Sequence, residues 1–106
     1  MCGIAGIFHR DGAPASEHLL SRMTNAIAHR GPDGEGYFVR ESIGLGHRRL
    51  SILDLSAAGH QPMLTTDQRY ALTYNGEICN FREAGKSRQA AFFNNGWALD
   101  ICLYGQ

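Results

Sequence analysis

The stretch MCGIAGIF, Met1 to Phe8, decides how this chain is read. Cys2 directly follows the initiator methionine, so removal of Met1 leaves a thiol and a free α-amino group on one residue. A cysteine thiol ordinarily titrates near ~8.5 and an α-amino group near ~7.7–8.0, so such an amine takes the thiol proton at little cost. The nucleophile then carries its own base. The apolar residues Ile4, Ala5, Ile7 and Phe8 predict a buried strand that holds this terminus still, with Gly3 and Gly6 admitting other backbone close by. Seen alone, a cysteine beside a start methionine is an ordinary small apolar residue. The motifs downstream turn the reading toward chemistry.

A chain of 106 residues makes one small domain, expected to bury roughly 60–70% of its unfolded surface. Ten basic and ten acidic side chains cancel, and zero net charge argues against nucleic acid or an anionic membrane as the main partner. Three cysteines, Cys2, Cys79 and Cys102, form neither a disulfide framework nor the CxxC spacing of a zinc site, so no metal site is expected and a reducing cytoplasm is the simplest compartment. No apolar run approaches the ~18–20 residues of a membrane span, and no signal-peptide pattern opens the chain.

After the first strand, His9 to Gly12 and Pro14 read as a turn, and Ser16 as a helix N-cap with Glu17 in the first turn. Leu19, Met23 and Ile27, with Leu20 and Ala26 alongside, predict one apolar stripe on an amphipathic helix packed on a sheet. His29 and Arg30 fall in its last turn, where the dipole favours positive charge, and Gly31-Pro32 stops it. The glycine-rich stretch His29 to Gly36 makes a poor phosphate cradle, because it contains Pro32 and no helix follows. Tyr37 to Val39 and Ile43 to His47 predict two short strands joined through Glu41-Ser42, and Ala57-Ala58-Gly59 with Pro62 a later turn.

Two further places offer chemistry. Arg48 and Arg49 are either a solvated pair or, for whichever one points inward, a planar clamp for a substrate carboxylate; alternation leaves open which that is. Tyr70, Leu72 and Tyr74 predict a half-buried strand that delivers Asn75-Gly76-Glu77 at its end. Asn-Gly is by itself a tight-turn signal. An Asn amide beside a glycine N–H is also a workable oxyanion hole, in which one donor is worth ~2.7–4 kcal/mol of transition-state stabilisation.

Taken together, MCGIAGIF, AHRGPDGEG, LGHRRLSILDLSAAGHQPM and YNGEICNFRE closely resemble the N-terminal glutaminase domain of asparagine synthetases, a class II glutamine amidotransferase of the N-terminal-nucleophile hydrolase type. The likeness runs from Met1 to about Glu83, leaving 84–106 as a divergent tail. The resemblance implies an α+β fold, the αββα sandwich, of which this chain holds about the first half. It implies that Cys2 attacks the side-chain carbonyl of L-glutamine, releasing ammonia and then glutamate through a thioester. It further implies that Arg49 grips the α-carboxylate, that Asn75 and Gly76 form the oxyanion hole, and that Glu77 holds the amino end. Backbone at Leu50 and Ile52 lines the same pocket in relatives. The glutaminase half-reaction implies no cofactor; ATP and magnesium belong with a synthetase domain or chain, the implied partner.

The tail departs from this pattern. Where an aspartate for the substrate ammonium is expected, alignment of Leu103-Tyr104 places Gly96, with Asp100 four residues late, and Cys79 stands where tyrosine is common. Trp97, Leu99, Ile101 and Leu103 alternate as in a strand. Two accounts fit: a truncated or frame-shifted product, or a diverged minimal domain. The second functional reading is accordingly a non-catalytic remnant without turnover on its own. Half a sandwich leaves one sheet face uncovered, so self-association is expected.

Overall fold

The computed structural model describes residues 1–51 and 59–75. Strand β1 is Gly3–Phe8, helix α1 Glu17–Ala26, β2 Gly34–Arg40, β3 Ile43–Arg49, β4 Met63–Leu64 and β5 Ala71–Leu72. The first three strands form an antiparallel sheet in the order β1-β3-β2, and β4 and β5 pair as a separate antiparallel hairpin. The fold is therefore α+β, as expected.

The local signals act as the sequence implies. In the turn after β1, Gly12 takes φ +80° and Ala13 N donates to Asp11 Oδ1 at 3.0 Å. Ser16 caps α1, its Oγ accepting from Leu19 N at 3.1 Å. The β2–β3 hairpin closes through Glu41-Ser42, with Glu41 at φ 51°.

Register fixes the faces. Gly44 and Gly46 of β3 turn toward α1, Gly44 against Leu20 and Gly46 against Thr24, and Gly3 of β1 lies against Ile27. Residues paired with these share their side, while Ile4, His47 and Gly36 pair across the three strands on the other side. The 59–75 segment covers part of that second face: a Cβ on Gly36 would overlap Gln61 O, His47 bonds Thr73, and Arg40 donates to Gln68 O. The face is not closed, since Ile4, Phe8 and Ile43 are 42%, 67% and 42% exposed.

Several expectations change. The helix buries Leu20 and Thr24 rather than the Leu19–Met23 line, and Leu19 is exposed. The reason is the glycine pair beneath it: α1 approaches β3 so closely that a threonine fits there, its hydroxyl donating to Leu20 O at 2.8 Å. The helix stops at Ala26, so His29 and Arg30 occupy a separate 3₁₀ turn, Ala28–Arg30. Gly34–Gly36 belong to β2 rather than to a loop, and β1 is only half buried. The strand expected over Tyr70 to Tyr74 shrinks to Ala71–Leu72, with Tyr70 exposed. Ile52, Ala57, Ala58, Gly76, Glu77, Cys79, Cys102 and the strand read over Trp97 to Leu103 lie outside the described residues.

Candidate functional site

Cys2 enters β1 beside the end of β3. It is 1% exposed, a free thiol, and Leu50 N donates to its Sγ at 3.4 Å. That donor faces whatever charge develops on the sulfur. With Met1 attached, the Cys2 nitrogen is an amide and has no basicity; Met1 itself is 69% exposed.

The loop 30–33 braces this corner. Arg30 Nε donates to Cys2 O at 3.2 Å. Gly31 passes so close to the Arg48–Arg49 peptide that any Cβ would overlap it. Asp33 N donates to Arg49 O at 3.0 Å, and Asp33 Oδ2 accepts from Ser51 N at 2.8 Å. The chain from Arg49 to Ser51 is thereby held from both sides, which sets Leu50 against the thiol. Sequence reasoning rejected a phosphate role for this glycine-rich stretch but did not foresee the brace. Its glycine and aspartate were visible; which backbone they meet was not.

The two arginines part company. Arg48 turns to the helix face, where its Nε donates to Gly31 O at 3.1 Å and its guanidinium pairs with Glu35. Arg49 falls on the opposite face, the side of His47, and pairs in register with Gly34.

His47 is fully buried. Its Nδ1 and Thr73 Oγ1 are hydrogen bonded at 2.9 Å. Its pKa is lowered from 6.5 to about 4, first by burial and then by His60 and Arg49. Nearby, Gln61 Oε1 accepts from Tyr74 N at 2.6 Å. Asn75 comes directly after Tyr74 and is half buried. Of the predicted site residues, Cys2 and Leu50 are in contact, Arg49 lies on the side of the sheet that β5 covers, and Asn75 hangs from tethers to that side. Ile52, Gly76 and Glu77 fall outside the described residues. A cavity of about 220 Å³ between Phe38, Ile43 and Leu45 on one wall and Arg69 and Ala71 on the other lies at the far end of the β2–β3 hairpin from Cys2.

Among the described residues no three His, Cys, Asp or Glu side chains converge as a metal set, and no helix is long and apolar enough to cross a membrane.

Comparison with known proteins then supplies the relationship. Residues 1–94 match the glutamine amidotransferase domain family. The chain is 41% identical over 93 residues to asparagine synthetase [glutamine-hydrolyzing] 1 of Bacillus subtilis, an alignment covering 85% of this chain and 15% of that protein. It is 46% identical over 108 residues to asparagine synthetase [glutamine-hydrolyzing] 2 of the same organism, covering 98% of this chain and 14% of that one. A putative asparagine synthetase [glutamine-hydrolyzing] 2 of Methanocaldococcus jannaschii is 45% identical over 101 residues, covering 78% and 19%. The chain thus spans less than a fifth of the length of each of these relatives. A leading cysteine just before β1, met by the Leu50 amide and braced by residues 30–33, is here joined to a match over most of the sequence: the chain belongs to the glutamine amidotransferase domain family.

Proposed function

We propose that this chain is the glutaminase part of an amidotransferase of the asparagine synthetase type, hydrolysing L-glutamine to glutamate and ammonia. The observation that carries the reading is the buried Cys2 immediately before β1, its sulfur met by Leu50 N, the residue that follows Arg49 at the end of β3. Once Met1 is removed, the α-amino group of Cys2 accepts the thiol proton and Sγ attacks the side-chain carbonyl carbon of glutamine. The oxyanion of the tetrahedral intermediate is held by the Asn75 amide and the Gly76 N–H. Collapse expels ammonia, which takes the proton from the Cys2 ammonium, and leaves a thioester. Water, activated by the same amine, then releases glutamate and restores the thiol. Arg49 holds the α-carboxylate, Glu77 the amino end, and backbone at Leu50 and Ile52 lines the pocket.

Neither half of this hydrolysis calls for a cofactor; ATP and magnesium serve a synthetase domain or partner chain that consumes the ammonia, for asparagine formation. A cytoplasmic setting keeps Cys2 reduced. The fuller fold is the αββα sandwich: α1 and the β1-β3-β2 sheet as one half, with the β4–β5 hairpin, lying against the face opposite the helix, as the start of the second sheet. The domain boundary near Glu83, with the tail 84–106 beyond it, is part of the same proposal.

The test is incubation of Met1-processed protein with a diazo-ketone analogue of glutamine, then intact mass. One adduct per chain on Cys2, absent from Cys2→Ala, together with ammonia release from glutamine, is expected. An adduct without ammonia release would favour the non-catalytic reading, and no adduct on soluble protein would defeat the glutaminase reading.

A further inference from the structure

The two residues that lead into Asn75 are each tied to a buried polar side chain, one on β3 and one in the segment before β4. Thr73 Oγ1 is hydrogen bonded to His47 Nδ1 at 2.9 Å, and Tyr74 N donates to Gln61 Oε1 at 2.6 Å. His47 and Gln61 are 0% and 2% exposed. His47 belongs to the sheet that follows Cys2, and Gln61 packs against it. His47 lies on β3 two residues before Arg49 and pairs in register with Ile4, which is two residues after Cys2. Gln61 is pinned through its backbone, which lies directly over Gly36, and Gly36 is the partner of His47 on β2. The strand β5 that precedes this segment is only Ala71–Leu72, too short for its own ladder to fix the course of residues 73–75. Among the described residues, these two side-chain bonds hold the chain that leads into Asn75.

We propose that His47 and Gln61 are positioning residues for the glutaminase reaction, fixing Asn75 relative to Cys2 through Thr73 and Tyr74. The inference rests on the proposed glutaminase function. Neither residue touches a reacting atom in this role. Apolar side chains would fill the same space, but they would leave the chain free to slide, whereas a hydrogen bond restrains both distance and angle. Burial sharpens the constraint, since breaking either bond strands a polar group out of water. An oxyanion donor works on the transition state, so a small misplacement lowers kcat and leaves ground-state binding by Arg49 and Glu77 nearly untouched.

The experiment compares Thr73→Val, which removes the hydroxyl at nearly constant shape, with Thr73→Ser, which keeps it, in the Met1-processed full chain. Ammonia release should fall about 10- to 100-fold in kcat for Thr73→Val, with KM within about 3-fold of the parent, and stay within about 3-fold for Thr73→Ser. Amide hydrogen exchange at Tyr74 and Asn75 should quicken about 10-fold in Thr73→Val while β1 and β3 amides keep their protection. Equal losses in the two variants, or a rise in KM at constant kcat, would overturn the proposal. If the parent releases no ammonia, the glutaminase reading is what fails, and the exchange measurement still decides the tether: unchanged exchange at Asn75 in Thr73→Val refutes it. Gln61→Leu, which removes the acceptor of Tyr74 N, should repeat the Thr73→Val pattern; normal kcat there removes Gln61 from the role.

Discussion

Burial keeps His47 neutral at ordinary pH, and that has a thermodynamic consequence. Its pKa is about 4 in the folded chain against an ordinary 6.5, so between these values the unfolded chain binds the proton and the folded chain does not. Stability is then full above pH 6.5, falls as pH drops toward 4, and levels off below; the total is on the order of 3 kcal/mol. Melts of the parent and His47→Asn from about pH 7.5 to about 4 should show the smaller acid loss in the variant, and parallel curves would contradict the assignment. The arginine pair gives a second prediction at this scale. On the proposed glutaminase function, Arg49→Ala should raise KM for glutamine by at least about 10-fold. Arg48→Ala should lower the melting midpoint instead, because its bonds are to Gly31 O and Glu35 rather than to substrate.

Among the elements, the contact of α1 with β3 is the most demanding. Its closeness depends on Gly46, where an added methyl would overlap Thr24 Oγ1 and come within 3.4 Å of Leu20 Cδ1. Gly46→Ala should destabilise the chain by about 1–3 kcal/mol through overpacking. The double variant Gly46→Ala with Thr24→Ala should recover part of that, since it removes the overlapping hydroxyl; denaturant midpoints measure both. Ser16→Ala should cost about 1 kcal/mol in the same assay, the usual worth of an N-cap. In the β4–β5 hairpin, the Thr65 hydroxyl and the Arg69 amide both donate to Asp67. The Thr65 bond, and then that of Arg69, hold this exposed carboxyl below the usual carboxylate range. These side-chain bonds act beside two backbone bonds of the turn, Thr65 N to Tyr70 O at 3.1 Å and Gln68 N to Thr65 O at 2.9 Å.

At the scale of the whole molecule, Ile4, Phe8 and Ile43 share the sheet face opposite the helix and remain open. Sedimentation of this chain should therefore show concentration-dependent association, and Phe8→Ser with Ile43→Thr should shift it toward monomer. Cys2 as the candidate nucleophile, the helix start and the β2–β3 hairpin were all legible in the amino-acid order alone. These depend on neighbours a few residues apart: Cys2 next to Met1, Ser16 next to the first helical turn, Glu41-Ser42 between two apolar runs. The sequence also named Arg49 and Asn75 through a resemblance spread over four motifs. It could not say which arginine lies on the His47 side of the sheet, because strand parity depends on where the β2–β3 turn falls. It placed the helix stripe one residue off, because Leu19 and Leu20 are equally apolar and the glycines that choose between them come from β3, well beyond the helix in the chain. The roles of Arg30, Asp33, His47 and Gln61 were likewise decided only by tertiary structure. Each acts through a backbone or side-chain group brought to it by folding, and a polar side chain carries no mark in the sequence of the partner that burial will give it.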